Sequence, residues 1–275
     1  MQNAPQPVYL LGHSKKELDR LSRQARTYEP LTRRLFHEAG IKPGMRVLDV
    51  GCGSGDVSFL VASIVGETGE VVGADRAAAA VERARAHAKA AEVANVTFLE
   101  GDPTELKFDR PFDAVVGRFI LMYYPDPADA LRKLAEKLRP GGLIVFHEFD
   151  FNNCRSFPQA STFDRTVDWT KKTLAATGAS FQMGLELHSA FLAAGLPEPT
   201  MIMEALIGGG SELARYELIA DTIQSILPMM EKFKIVAPGE VDIANLAHQM
   251  QAEVLAGKGV VVSPGLVGAW LRKPA

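Results

Sequence analysis

Apolar residues recur at three- and four-residue steps near the start of the chain. Leu18, Leu21, Ala25 and Tyr28 fall on one helix face. Ser14 and Glu17 stand at capping-box spacing just ahead. Pro30 is suited to open a second helix and Gly40 to close it. Two helices are therefore expected before the first strand.

A regular alternation follows. Arg46–Val50 reads as a buried strand, Asp56–Val65 as a helix, Val71–Ala74 as a strand and Ala77–Ala91 as a helix. Val96–Leu99 and Asp113–Val116 read as strands. Pro127–Leu138 reads as a helix capped by Asp126. Pro140-Gly141-Gly142 reads as a turn into strand Leu143–Phe149. This rhythm predicts an α/β fold with a mostly parallel sheet and helices on both faces. Beyond Phe151 the pattern becomes mainly helical, over Phe163–Ala176, Glu186–Ala194 and roughly 211–256. Thr200–Ile207 and Val267–Leu271 are the remaining strands. The domain layout expected is a helical cover over 1–40, the sheet domain over 41–210 and 260–275, and a helical insertion or lid over 211–259. Met201, Met203, Met229, Met230 and Met250 lie in the late part of the chain, as core packing or as substrate cover.

Composition narrows the class. The 275 residues are 47% hydrophobic and carry a net charge of −3, which disfavours a nucleic-acid partner. Residues 1–46 hold nine Lys/Arg against four Asp/Glu, most simply a solvated helix face. Two cysteines, Cys52 and Cys154, form no metal spacing and no disulfide framework, which fits the cytoplasm. Met1–Gly12 shows no signal pattern, and no apolar run is long enough for a membrane span, so no membrane partner is expected.

The chemistry concentrates after the first strand. Val47-Leu48-Asp49-Val50-Gly51-Cys52-Gly53-Ser54-Gly55 runs a strand into a glycine-rich turn that opens a helix. Such a turn lets backbone approach a ligand closely. Asp75 ends the second strand, 20 residues after Gly55, where a carboxylate can accept from a ribose diol. A nicotinamide dinucleotide would call for glycine at position 56, which is Asp56. Two carboxylates, Asp49 and Asp56, suit a sulfonium nucleoside with an amino-acid tail better than a pyrophosphate.

Arg46–Gly55 resembles the first motif of class I S-adenosylmethionine-dependent methyltransferases. Residues 40–150 are similar to the branch that holds ubiquinone/menaquinone methyltransferases and many small-molecule methyltransferases. Gly101-Asp102-Pro103, Pro111–Val116 and Leu138–Gly142 support the likeness. The resemblance implies a Rossmann-like seven-stranded sheet and S-adenosylmethionine as cofactor. It implies that Gly51, Cys52 and Gly53 flank the methionine end, which Asp49 helps organise. Asp75 would bind the ribose, with Arg76 beside the adenine and Asp102 and Pro103 near its amino group. Arg118 would meet both cofactor and pocket, and Tyr28, with Gln24, would close over the methionine end. Tyr123 and Phe149 are candidates for the acceptor site.

Methyl transfer needs a base only where the acceptor loses a proton. His147 and Glu148 are the candidates, pointing to opposite faces of their strand. His188 is expected to be structural or exposed. A metal-assisted mechanism would use a carboxylate where Arg118 stands, so no metal is expected. The function expected is methyl transfer to a small molecule, at oxygen or nitrogen first, with a quinone-type carbon as the alternative. A non-catalytic S-adenosylmethionine-binding protein is the reading from another class. A homodimer is a further possibility left open by the Phe and Met content.

Overall fold

Pro30 does not begin a second helix. In the computed structural model, which describes residues 15–274 and the side chains from Arg20 on, α1 runs unbroken over Lys15–Ala39. Pro30 is exposed, on the side of the helix away from its buried face. Ala25, Tyr28, Leu31, Leu35, Phe36 and Ala39 form the buried face. Gly40, at φ +95°, ends the helix, and Ile41 N–H returns to the Phe36 carbonyl at 2.9 Å. Met1–Gly12, Ser14 and the side chains of Glu17 and Leu18 lie outside the described residues.

The alternation that follows forms as expected. β1 (Arg46–Val50), α2 (Asp56–Val65), β2 (Glu70–Asp75), α3 (Ala78–Ala90), β3 (Val96–Glu100), β4 (Phe112–Arg118) and α4 (Pro127–Glu136) follow in order. Asp126 caps α4 by accepting from Asp129 N–H at 3.0 Å. β5 runs over Leu138–Asp150 and is longer than expected. Pro140-Gly141-Gly142 is not a separate turn but a bulge within it. Phe112 and Ala114 pair with Leu138 and Leu143, and the residues between are accommodated at Gly141, φ +71°.

After β5 come β6 (Arg155–Phe157), α5 (Ser161–Ala176), α6 (Met183–Ala193), β7 (Thr200–Glu204) and β8 (Ile207–Gly209). α7 (Leu213–Lys232), α8 (Ile243–Ala256), β9 (Val260–Val262) and β10 (Gly265–Arg272) complete the chain. The strand expected over Thr200–Ile207 is thus two. β7 joins the large sheet and β8 a small one.

The large sheet has seven strands in the order β3-β2-β1-β4-β5-β10-β7. β1 pairs in parallel with both β2 and β4, so the order reverses there. In open α/β sheets ligands bind beyond the carboxyl ends of strands at such a reversal. Val47, Val71, Ala114, Val116, Leu143 and Val145 pack on one side with residues of α1 and α2. Val81, Ala84 and Phe98 form a second cluster with Cys52.

By compactness the chain divides into two units. One comprises Ala25–Glu148, Leu185–Ile202 and Val267 onward. The other takes in the chain through Gln24, Phe149–Gly184 and Met203–Leu266. Its core is α5, α7 and α8, with Trp169, Tyr216, Ile223, Met230 and Met250 buried together. Arg20 donates to Thr222 at 3.2 Å, and Arg23 pairs with Asp221, within this unit. The 211–259 block expected as a lid falls here. No helix among the described residues is long and apolar enough to cross a membrane.

Candidate functional site

The turn between β1 and α2 holds Gly51, Gly53 and Gly55 at φ +66°, +53° and +92°. Two of these positions are crowded. A Cβ on Gly51 would stand 2.4 Å from Ile120 Cδ1, and one on Gly55 2.8 Å from Phe59. Gly53 is different: nothing lies within 4 Å of its Cβ position. The turn is therefore braced at both ends and open in the middle. Gly51 and Cys52 N–H both donate to the Ala74 carbonyl, at 2.9 and 3.1 Å.

Asp75 ties this turn to the next helix. One carboxylate oxygen accepts from Gly53 N–H at 2.9 Å, the other from Ala77 N–H at 2.8 Å. Each oxygen keeps a lone pair free for a further donor. Arg76 pairs with Asp102, and its guanidinium lies 5.1 Å over the Tyr124 ring. Asp102 also accepts from Thr104 N–H at 2.9 Å and Thr104 Oγ1 at 2.8 Å. Against the effect of burial, the Thr104 and Arg76 hydrogen bonds hold the Asp102 carboxyl below its usual range. Pro103 is buried beside it.

A charged group lies at the β1 end. Asp49 is buried and accepts from Ser58 Oγ at 2.6 Å. Burial pushes its pKa up to about 7, while Ser58 and Arg118 act the other way. Burial also raises Asp56. Arg118 feels desolvation against the charges of Asp56, Asp49 and Glu29. Its Nη1 donates to Thr32 Oγ1 at 3.2 Å.

The ends of β4 and β5 form a braced loop. Phe119 is left-handed at φ +56°, and its N–H donates to the His147 carbonyl at 2.9 Å. Its ring meets Tyr28 edge-on at 6.0 Å and stacks on His147 at 6.3 Å. His147 is buried with Nδ1 3.2 Å from Thr32 Oγ1. Burial and the Arg118 charge push it down to about 3, so the imidazole is neutral. Glu148 is fully buried and accepts from Ile120 N–H at 2.9 Å and Leu121 N–H at 2.8 Å. Its pKa is pushed up to about 8 by burial, against those hydrogen bonds.

Tyr28, Asp49, Gly51, Cys52, Gly53, Asp75, Arg76, Asp102, Pro103, Arg118, Tyr123, His147 and Glu148 belong to one compact unit, whereas Phe149 and Gln24 group with the other. Within that second unit Phe149 packs on Phe151 at 5.3 Å, and Gln24 accepts from Arg20 at 2.7 Å. Tyr123 lies in a single 3₁₀ turn, Leu121–Tyr123. Cys52 is buried and its thiol is raised by burial, and burial pushes Cys154 up to about 12. Both stay thiols at neutral pH. His188 is exposed, 3.3 Å from Glu198. Among the described residues no group of three or more His, Cys, Asp or Glu is placed to hold a metal. Asp150 accepts from Asn152 N–H at 3.0 Å and Asn153 Nδ2 at 2.7 Å. Sequence reasoning missed Thr32, Ser58 and Ile120. Thr32 and Ile120 act through contacts between distant segments, and Ser58 through a fold-back of α2 on β1, none of which carries a local signature.

A family model described as a methyltransferase domain matches residues 41–191. The chain belongs to the methyltransferase domain family. It is 39% identical over 114 residues to a demethylmenaquinone methyltransferase of Staphylococcus aureus (strain MRSA252). That stretch is 41% of this chain and 46% of the relative, so the match spans about half the relative's length. Among solved structures, a Bacillus halodurans protein named for methyl transfer aligns over 88% of this chain and 98% of its own. Its TM-score is 0.55 at 20% identity. The cyclase SpnF aligns over 90% of this chain and 81% of its own, with TM-score 0.54 and 19% identity. Likenesses at this identity speak for the fold, and the cyclase illustrates that this fold serves more than one chemistry.

Proposed function

We propose that this chain binds S-adenosylmethionine at the Gly51–Gly55 turn and transfers its methyl group to a small, partly apolar molecule. The observation that carries the reading is the open position at Gly53 beside the Asp75 carboxylate. A ligand can press on bare backbone there, with carboxylate lone pairs within reach of a diol. Asp49 and Asp56, opposed by Arg118, suit a cationic amino-acid end and not a pyrophosphate. Bound S-adenosylmethionine supplies an activated methyl on sulfur and leaves as neutral S-adenosylhomocysteine.

The protein's own part is alignment and exclusion of water. In this reading Asp75 holds the ribose, Arg76, Asp102 and Pro103 border the adenine, and Gly51, Cys52 and Asp49 flank the methionine end. Tyr28 and Phe119 wall that end, with Arg118 between cofactor and pocket. Tyr123 borders the acceptor side. His147 and Glu148 serve as positioning residues, because a neutral ring held by Thr32 and a carboxyl clamped by two N–H groups are poor proton acceptors. Oxygen or nitrogen acceptors come first. The names of the curated relatives favour a second reading, carbon methylation of a quinone-type precursor. A small-molecule partner and a cytoplasmic setting go with either, and turnover separates both from a non-catalytic binding protein.

Calorimetric titration of wild type and Gly53→Ala tests the site. At φ +53° with open space around it, alanine is expected to cost only about 1–2 kcal/mol of stability. Its methyl group fills the open position, so S-adenosylmethionine affinity should drop at least about tenfold, roughly 1.4 kcal/mol. A folded wild type that binds neither sulfur compound, or that binds NADH, overturns the reading.

Asp49 adds a pH signature. A cationic ligand end favours its ionised form, so binding is weakest when Asp49 is protonated. With a pKa of about 7, affinity for S-adenosylmethionine should rise about tenfold from about pH 6 to 8. Asp49→Asn should bind weakly with a flat profile. An unchanged slope in that variant would remove Asp49 from the methionine end.

A further inference from the structure

The small sheet, in the order β6-β9-β8, shows two different faces. Ser156 pairs with Val261 and Val261 with Gly208, and this row turns inward: Ser156 and Val261 are buried, and Arg215 packs against Gly208. The rows on either side face out. Phe157 pairs with Val260, which pairs with Gly209. Arg155 pairs with Val262, which pairs with Ile207. Phe157 is 73% exposed and Ile207 65%, among the most exposed large apolar side chains described. An outward sheet face this apolar marks an interaction surface.

The charges on this face indicate its partner. The outward positions hold no carboxylate. They hold Arg155, which is exposed and donates to the Asn153 carbonyl two residues before it at 3.1 Å. Lys258, also exposed, enters β9 just after Leu255. Next to it, the Gly259 position abuts Phe157 and Pro158. These two cations flank the apolar group in a chain whose net charge is −3. A symmetric contact between two copies through this face would gather two sets of these cations in one interface with no carboxylate of the face to oppose them. An anionic lipid surface suits both features. Its acyl boundary takes Phe157 and Ile207, and its headgroups take Arg155 and Lys258.

We infer that the outer face of the β6-β9-β8 sheet docks peripherally on anionic membranes. That no described helix is long and apolar enough to cross a membrane bears on insertion and not on surface contact. The inference stands apart from the proposed methyl transfer, because it is read by binding alone. The test is co-sedimentation of the full chain with vesicles of phosphatidylcholine, with and without phosphatidylglycerol. Binding is expected only to the anionic vesicles. The Phe157→Ser/Ile207→Ser variant should lose at least about tenfold of it. Arg155→Gln/Lys258→Gln should lose roughly thirtyfold. All four side chains are exposed, so thermal melts of both variants should match wild type. No vesicle binding by wild type overturns the inference. So does sedimentation equilibrium showing a wild-type oligomer that the Phe157→Ser/Ile207→Ser variant breaks, since the face would then join copies of this chain.

Discussion

Asp75→Ala is expected to lose more than about a hundredfold in S-adenosylmethionine affinity, roughly 3 kcal/mol or more. Two losses add up. The carboxylate ties Gly53 N–H and Ala77 N–H together, at 2.9 and 2.8 Å, so it shapes the turn that receives the ligand. Its remaining lone pairs are the proposed acceptors for the ribose hydroxyls, and hydrogen bonds to a charged group contribute about 1.5–3 kcal/mol each. Asp75→Asn keeps one acceptor oxygen and should fall between wild type and alanine. The measurement is titration calorimetry, with a denaturation curve to confirm the folded state. Affinity of the alanine variant within threefold of wild type would place the nucleoside elsewhere.

Glu148→Ala should destabilise the protein by about 3 kcal/mol. The side chain is fully buried and receives Ile120 N–H and Leu121 N–H. Alanine leaves the buried Leu121 N–H and the partly buried Ile120 N–H without that acceptor, and a cavity beside them. The damage should also reach the glycine turn, because Ile120 packs where Gly51 has no side chain. Glutamine is the informative contrast. With a pKa of about 8, Glu148 is protonated at neutral pH, and glutamine copies its shape and its acceptor oxygen. Glu148→Gln should therefore cost below about 1.5 kcal/mol. Because the folded-state pKa lies above the ordinary value, the stability linked to Glu148 is present at low pH. It is lost as pH rises through about 8. Urea titrations across that range should show wild type weakening and Glu148→Gln weakening less. Equal costs for alanine and glutamine would mean the carboxyl does not hold the loop through its acceptor oxygen.

Where the chain's local chemistry and its packing agree, the elements formed as the sequence implied. β1 and α2 occupy Arg46–Val50 and Asp56–Val65, the spans expected from apolar runs bounded by glycine. The departures have specific causes. Pro30 signals a helix start, but on an exposed face its missing N–H costs little once the buried face of α1 continues past it. Pro140-Gly141-Gly142 signals a turn. Gly141 N–H donates to the Lys273 carbonyl, and Lys273 N–H returns to Gly142 at 2.8 Å, so the chain end draws it into a strand. Thr200–Ile207 divides because its two halves pair in different sheets, a choice made by partners far along the chain. Met230 and Met250 are buried in the helical core, the plainer of the two readings, whereas Met203 is exposed.

The sequence by itself determined the parallel α/β order, the glycine turn and the acidic end of β2. These are written in residues close together, through apolar period and glycine placement. Only the tertiary structure decided which glycine stands open, since the crowding of Gly51 comes from Ile120, a residue of another strand's end. It also decided the protonation of Asp49, His147 and Glu148. A pKa follows the burial and charges around a group, and those neighbours, Ser58, Arg118 and Thr32 among them, meet only when the chain has folded.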